Sequence, residues 1–198
     1  MGAMYGSTPT KGRILLATPP LEDPNFDRTV IYVLEHHDEG ALGLVLNRPS
    51  PEELGDALRA WAEMQSDPSL VFVGGPVEPD ALIAIARVRE PLPPLAEDDD
   101  ENDTHLAPLS GDLASADLAA DPIDVVDTIS ALRVFRGYAG WGPGQLDGEI
   151  EAGAWLVLDP DPTDLFTDTP DDLWRSVLRR QPGRLAWLAE APDDLAAN

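Results

Sequence analysis

Three histidines, eight serines, one lysine and no cysteine are the proton carriers and nucleophiles available to this 198-residue chain. The densest cluster of potential ligands is Glu35-His36-His37-Asp38-Glu39. Its residue types suit a metal, but its spacing does not. On a strand, His36 and His37 point to opposite faces. No His-Glu-x-x-His helix is present, and His105 is the one remaining imidazole. The pattern predicts a solvated hairpin tip without a metal. His36 is still the natural proton shuttle of the chain. An enzymatic alternative, hydrolase-like and of unknown class, would use His36 together with Asn47 and Arg48. Support for nucleophilic chemistry is thin. No serine lies in Gly-x-Ser-x-Gly, and Lys11 sits in a polar setting that does not favour a Schiff base. Without cysteine there are no disulfides, thiolate zinc sites or thiol nucleophiles. No catalytic residue and no cofactor are assigned.

The other distinctive residues shape and bind rather than transfer protons. Asn47-Arg48-Pro49 follows a predicted strand, and strand ends of α/β sheets are where ligands usually sit. Arg48 is suited to a carboxylate; the plainer reading pairs it with Glu52 or Glu53. Gly74-Gly75-Pro76 follows another strand but lacks the Walker Lys-Ser/Thr and the three-glycine dinucleotide pattern, so it reads as a turn needing positive φ and close backbone approach. Arg136 to Ile150 is the most informative stretch. It packs glycines, Tyr138, Trp141 and Pro143 into a strand-to-helix turn. The helix start offers free N–H groups to an anion, with Trp141 and Gln145 beside it; the plainer reading is a tight turn whose tryptophan fills the core. The candidate ligand-binding residues are therefore His36, Asn47, Arg48, Gly74, Gly75, Trp141 and Gln145. They are expected to meet on one recognition surface. The ligand is an unidentified small molecule or a protein.

Composition narrows the classes. Thirteen basic residues, twelve of them arginine, face 37 acidic ones for a net charge of −24. Such a surface repels nucleic acid and anionic lipid at long range. The acidic run Glu97 to Asp103 does not match a calcium loop starting at Asp98, because Asp103 and Leu109 hold the positions that want Gly and Glu. It reads as a mobile solvated loop over residues 90–104. Apolar runs are far shorter than the ~20 residues that span a bilayer. No secretion signal is apparent, so a cytoplasmic location is expected.

These residues need a scaffold. Arg13 to Ala17, Val30 to Leu34 and Ala41 to Leu46 read as strands. The last two form a hairpin, with Glu35-His36 closing the first strand and His37 to Gly40 making the turn. Neither strand alternates, which places the hairpin inside a sheet covered on both faces. Ser50-Pro51-Glu52-Glu53 predicts a capped helix start, with Leu54, Ala57, Leu58 and Trp61 as its stripe. Strands follow at Leu70 to Val73, Ala81 to Ala86 and His105 to Leu109. Helix is favoured near Ser115 to Ala120. Then come a strand at Leu132 to Tyr138, a helix at Pro143 to Glu151 and a strand at Trp155 to Leu158. Thr169 caps a helix with Leu173, Trp174, Val177 and Leu178 inward, and Arg184 to Glu190 forms a last one. The interleaving suggests an α/β (α+β) fold with a mixed, largely buried sheet.

Several segments carry a family resemblance: Gly12 to Pro19, Phe26 to Val30, Glu35-His36, Gly40 to Pro49, Gly74 to Val77 and, above all, Gly137 to Leu146. Together the chain resembles the YqgE/AlgH family of bacterial proteins from about Gly12 onward. The resemblance implies one compact domain over residues 12–198 behind a flexible tail at 1–11. It implies a three-layer sandwich with a mixed sheet and an inserted αβ-plait-like subregion. It also implies a label as a transcriptional regulator of alginate synthesis, with no agreed enzymatic residues. The net charge argues that any such regulation is indirect.

Overall fold

A computed structural model describes residues 10–18, 26–94, 105–183 and 185–189. The described residues form β1 (Ile14–Ala17), β2 (Val30–His37), β3 (Gly40–Val45), α1 (Arg59–Ala62), β4 (Phe72–Val73), β5 (Val77–Val88), β6 (Leu106–Pro108), β7 (Leu113–Ala116), β8 (Ile129–Trp141), α2 (Gln145–Glu151), β9 (Trp155–Leu158), α3 (Leu173–Arg179) and α4 (Leu185–Leu188). The fold is mixed α+β, dominated by one antiparallel sheet in the order β6-β7-β5-β8-β3-β2-β1-β9. β4 makes it a mixed sheet by pairing parallel to β8. Among the described residues no helix is long and apolar enough to cross a membrane.

The long strand β8 joins the two halves. One edge pairs with β5 along most of its length. The other edge is shared: Phe135 and Arg136 pair with β4, and Ala139 to Trp141 pair with β3. In the β1-β2-β3 half, side chains alternate between two cores, as period-2 geometry requires. Ile14, Leu16, Val30, Tyr32 and Leu44 pack with Leu173, Trp174 and Val177 of α3. Leu15, Ala17, Ile31, Val33 and Val45 pack with Trp141, Trp155 and Leu146 of α2. A third core joins Trp61 of α1 to Ala84, Ala86, Leu132 and Val134. The hairpin strands are inner strands with mostly buried residues, as their unbroken apolar runs predict.

Four local expectations change. β2 runs on to His37, which pairs with Gly40, so Asp38 and Glu39 alone make the turn. Ser50 does not start a helix: its N–H donates to the Val71 carbonyl, and Pro49 bridges Phe72. That pairing keeps residues 50–52 out of helical geometry, and the helical turns begin at Asp56. Leu113 to Ala116 is a strand, not a helix, because pairing with β5 and β6 on its two sides overrides the helical preference of Leu and Ala. β5 starts four residues earlier than expected, at Val77, where it meets Tyr138 before a bulge. The acidic run 97–103 and residues 1–9 of the expected tail lie outside the described residues; Thr10 and Lys11, its last two residues, are docked instead, Thr10 buried and Lys11 paired with Glu35 at 2.6 Å.

Candidate functional site

The glycine corners are filled by backbone. Gly74 donates its N–H to the Arg136 carbonyl, and its own carbonyl accepts from Val45 N. A Cβ on Gly75 would sit 2.2 Å from the Tyr138 carbonyl carbon, and one on Gly137 2.5 Å from the Gly75 oxygen. Two chain segments thus touch main chain to main chain, which only glycine allows. Gly74 and Gly75 wedge β4 between β3 and β8.

Trp141 belongs to a different constellation. His36, Ala41 and Trp141 form one cross-strand row beneath α2. The Trp141 indole N–H donates to Glu149 Oε2 at 2.9 Å, and that of Trp155 donates to the same oxygen at 2.8 Å. Gln145 Nε2 donates to Glu149 Oε1 at 2.8 Å. Gln145 Oε1 accepts from Gly142 N at 3.1 Å, taking up an N–H that the sequence offered to an anion. His36 lies beside this group, its Nδ1 2.6 Å from Thr10 Oγ1 and its Nε2 3.6 Å from Asp147 Oδ2. Glu149, which ties α2 to the sheet, was missed in the sequence. Its signal was there: it stands one helical turn after Gln145.

Asn47 and Arg48 sit at the other end of β2. Asn47 Oδ1 accepts from Val30 N at 3.0 Å, and its Nδ2 donates to the Arg28 carbonyl at 2.9 Å. Arg48 Nη2 donates to the neighbouring Asp27 carbonyl. Glu52, offered by sequence as the mate of Arg48, instead binds Arg136 at 2.6 Å. Between them, Asn47 and Arg48 grip the turn Phe26-Asp27-Arg28. Arg28 there has φ of 51°, a left-handed backbone that costs a side-chain-bearing residue about 1–2 kcal/mol. The turn crosses the end of the sheet. Phe26 packs with Trp141 and Trp155 on the α2 face, while the Arg28 guanidinium lies 5.6 Å over the Trp174 ring on the α3 face.

The expected single surface is therefore not formed. Val30, whose N–H Asn47 holds, is six residue steps from His36 along β2, about 20 Å at ~3.3 Å per residue. His36, Asn47 and Arg48 cannot share one reacting centre. Trp141, Gln145 and His36 form one group, Asn47 and Arg48 another, and Gly74 and Gly75 lie between them as packing.

Three depressions remain relevant. One of about 250 Å³ is lined by Arg28, Asn47, Arg48, Asp171, Trp174 and Arg175. A second, of about 440 Å³, is a shallow trough beside Leu42, Val77, Tyr138 and Gly140. A third, of about 210 Å³, holds Tyr32, Arg87 and Asp112; burial raises the Tyr32 phenol above its ordinary value. Arg28, Trp174 and Arg175 were not anticipated as site residues. Trp174 was read only as core, and no local spacing relates α3 to Asn47.

A small α+β protein with a main sheet gripped by helices, and with an arginine-lined cleft at one sheet end, is the class this architecture defines. The AlgH-like family profile matches residues 14–186, and the chain belongs to that family. It is 43% identical over 198 residues to a UPF0301 protein of Streptomyces coelicolor, covering 100% of both. It is 42% identical over 187 residues to a UPF0301 protein of Mycobacterium tuberculosis, covering 94% of this chain and 90% of that one. A crystal structure of a Corynebacterium diphtheriae protein superposes with a TM-score of 0.80 at 30% identity, covering 96% of each chain. The solution structure of the AlgH protein from Pseudomonas aeruginosa gives 0.64 at 29%, covering 96% of this chain and 100% of that one.

Proposed function

We propose that the chain is a cytoplasmic, non-enzymatic binding module whose regulatory effect, including any on transcription, is indirect, and that its ligand site is the cleft where Arg28, Asn47 and Arg48 meet α3. One observation carries this reading: Arg28, in left-handed backbone, and the Asp27 carbonyl before it are held by the Asn47 and Arg48 side chains respectively, at the lip of an open cavity. Strained backbone persists only where surroundings over-determine it, and such places cluster at ligand clamps. The name AlgH, borne by the Pseudomonas relative, is compatible with regulation. The net charge of −24 supports a route other than direct DNA contact.

The finer fold reading also stands as a proposal. Packing of α2 and α3 in separate cores supports three layers around β1, β2 and β3. The separate Trp61-centred core supports β5 to β8 as the inserted subregion.

Saturation-transfer NMR against a metabolite library, with backbone and side-chain shifts mapped, tests the site. Binders should move Asn47, Arg48 and Trp174 resonances. Binders that move only the Trp141 row or the Tyr138 trough would refute this placement.

A further inference from the structure

Gly140 is a glycine that the fold does not require. It lies in β8 outside the left-handed region, pairs with Leu42 of β3 and is exposed. A Cβ there would meet nothing closer than 3.5 Å, on the Tyr138 and Val77 side chains. At Gly74, Gly75 and Gly137, by contrast, a Cβ would collide with backbone atoms. Glycine inside a strand gives up side-chain packing and costs chain entropy, and it often marks a place where a ligand or another backbone comes close.

The bare backbone at Gly140 is part of the trough of about 440 Å³. Leu42 and Val77 add apolar surface beside it. Tyr138, half-buried, adds an aromatic side chain whose hydroxyl donates to Glu78 Oε1 at 3.4 Å. The depression is shallow and crosses β2, β3, β8 and the start of β5. Small-molecule sites enclose most of their ligand. An open trough over neighbouring strands suits a stretch of extended chain instead, whose backbone can lie against glycine while alternate side chains point in and out.

The rim is acidic, and its ion pairs are all accounted for. Glu35 is matched by Lys11 at 2.6 Å. Glu39, exposed in the hairpin turn, has no basic partner among the described residues, and Glu78 has the Tyr138 hydroxyl alone. The lining holds His37 but no lysine or arginine. Glu39 and Glu78 thus carry the molecule's charge of −24 up to the edge of the trough. The potential there favours a cationic segment and turns away an acidic one. A guanidinium is also attracted to the face of a tyrosine ring.

We infer that this trough docks an extended, arginine-bearing segment of a partner protein, with apolar residues on the floor and guanidinium groups toward Glu39 and Glu78. The surface is separate from the cleft at Asn47 and does not depend on it. A second copy of this chain, itself carrying −24, is repelled at long range.

The test is an NMR titration of the full chain with the peptide acetyl-Val-Arg-Val-Arg-Val-amide. Versions with glutamine or glutamate in place of arginine, and spermidine, serve as controls. The arginine peptide should saturably move the Gly140 N–H, the Leu42 methyls and the Tyr138 ring, and leave the Asn47 side-chain amide and the Trp174 indole in place. The glutamine version should bind more weakly and the glutamate version not at all. Gly140→Leu should abolish binding by filling the floor, and Tyr138→Ala should weaken it about tenfold or more, each with a dispersed amide spectrum. Glu39→Gln and Glu78→Gln, at exposed positions, should each weaken it about two- to fivefold. If the arginine peptide gives only unsaturable shifts spread over the acidic surface, or binds Gly140→Leu as well as the parent, the inference fails. Equal binding of the glutamine version overturns the basic chemistry of the partner. Saturation of the same resonances by spermidine makes this a small-cation site and overturns the peptide. Trough resonances that shift on dilution of the chain alone assign the surface to a second copy and overturn the inference.

Discussion

The side-chain amide of Asn47 bridges Arg28 to Val30, donating to the carbonyl of one at 2.9 Å and accepting from the N–H of the other at 3.0 Å. Asn47 is 6% exposed, so water cannot fully replace either bond. Asn47→Ala should cost about 2–4 kcal/mol in denaturant melts, since two backbone groups lose partners. Asn47→Asp keeps the acceptor and loses the donor, and should fall between.

Arg28→Gly should separate fold from function. Glycine takes a φ of 51° without strain, so the melting midpoint should hold or rise slightly despite glycine's larger chain entropy when unfolded. Ligand binding at the cleft should fall in the same protein. Loss of stability together with binding would mean that Arg28 serves the fold alone.

The Glu149 carboxylate accepts from Trp141, Trp155 and Gln145. Glu149→Ala leaves two largely buried indole N–H groups unpaired and should cost about 2–4 kcal/mol. Tryptophan emission should shift to the red as α2 loosens. Ligand binding at the cleft of Arg28, Asn47 and Arg48 should persist at temperatures where the variant stays folded.

Glycines of this chain should divide into two kinds. Gly75→Ala forces a Cβ to 2.2 Å from the Tyr138 backbone, and should prevent folding or cost several kcal/mol, at the upper end of single-substitution effects. At Gly140 the nearest atoms would be 3.5 Å away, on Tyr138 and Val77 side chains. Gly140→Ala should stay within about 1 kcal/mol of the parent.

Two titrations carry signs. The Thr163 hydroxyl, then its N–H, hold the Asp161 carboxyl below its ordinary value. A lowered acid stabilises the fold above its unfolded pKa and stops doing so as pH falls through the folded one. Thr163→Val should therefore be less stable than the parent at pH 7, with the gap closing toward pH ~2. Arg133 is 1% exposed, and burial lowers its guanidinium to about 10 despite Asp67 nearby. Below that pH the charge is retained at a desolvation cost; between the folded and unfolded values stability rises with pH. Its Nη2 donates to the Asp67 and Thr167 carbonyls, and Phe72 faces it at 4.2 Å. Arg133→Met keeps volume and drops the charge, so it should be milder than Arg133→Ala, by about 1–3 kcal/mol in the same melts.

The strands were legible where composition left no choice. Ile14 to Ala17, Val30 to Leu34 and Trp155 to Leu158 are β-rich runs bounded by turn residues, and each is a strand. The helices with capping prolines or clear stripes, at Gln145 and Leu173, also stood out. Ser50 and Leu113 did not, because their local preferences lost to partners distant in sequence, Val71 and β5. Individual site residues were visible for the same reason: Asn47, Arg48 and Trp141 are odd residues at strand ends. Their grouping was invisible.

By itself the sequence determined an acidic, cysteine-free α+β chain, its family likeness and which corners must be glycine, since these follow from residue types and local backbone geometry. Only the tertiary structure decided that Trp141 and Asn47 serve separate groups, that Glu149 locks α2 in place, and that three scattered arginines surround one cleft. Those facts depend on strand order and on which face α3 covers, which arise from long-range packing and leave no periodic trace in the chain.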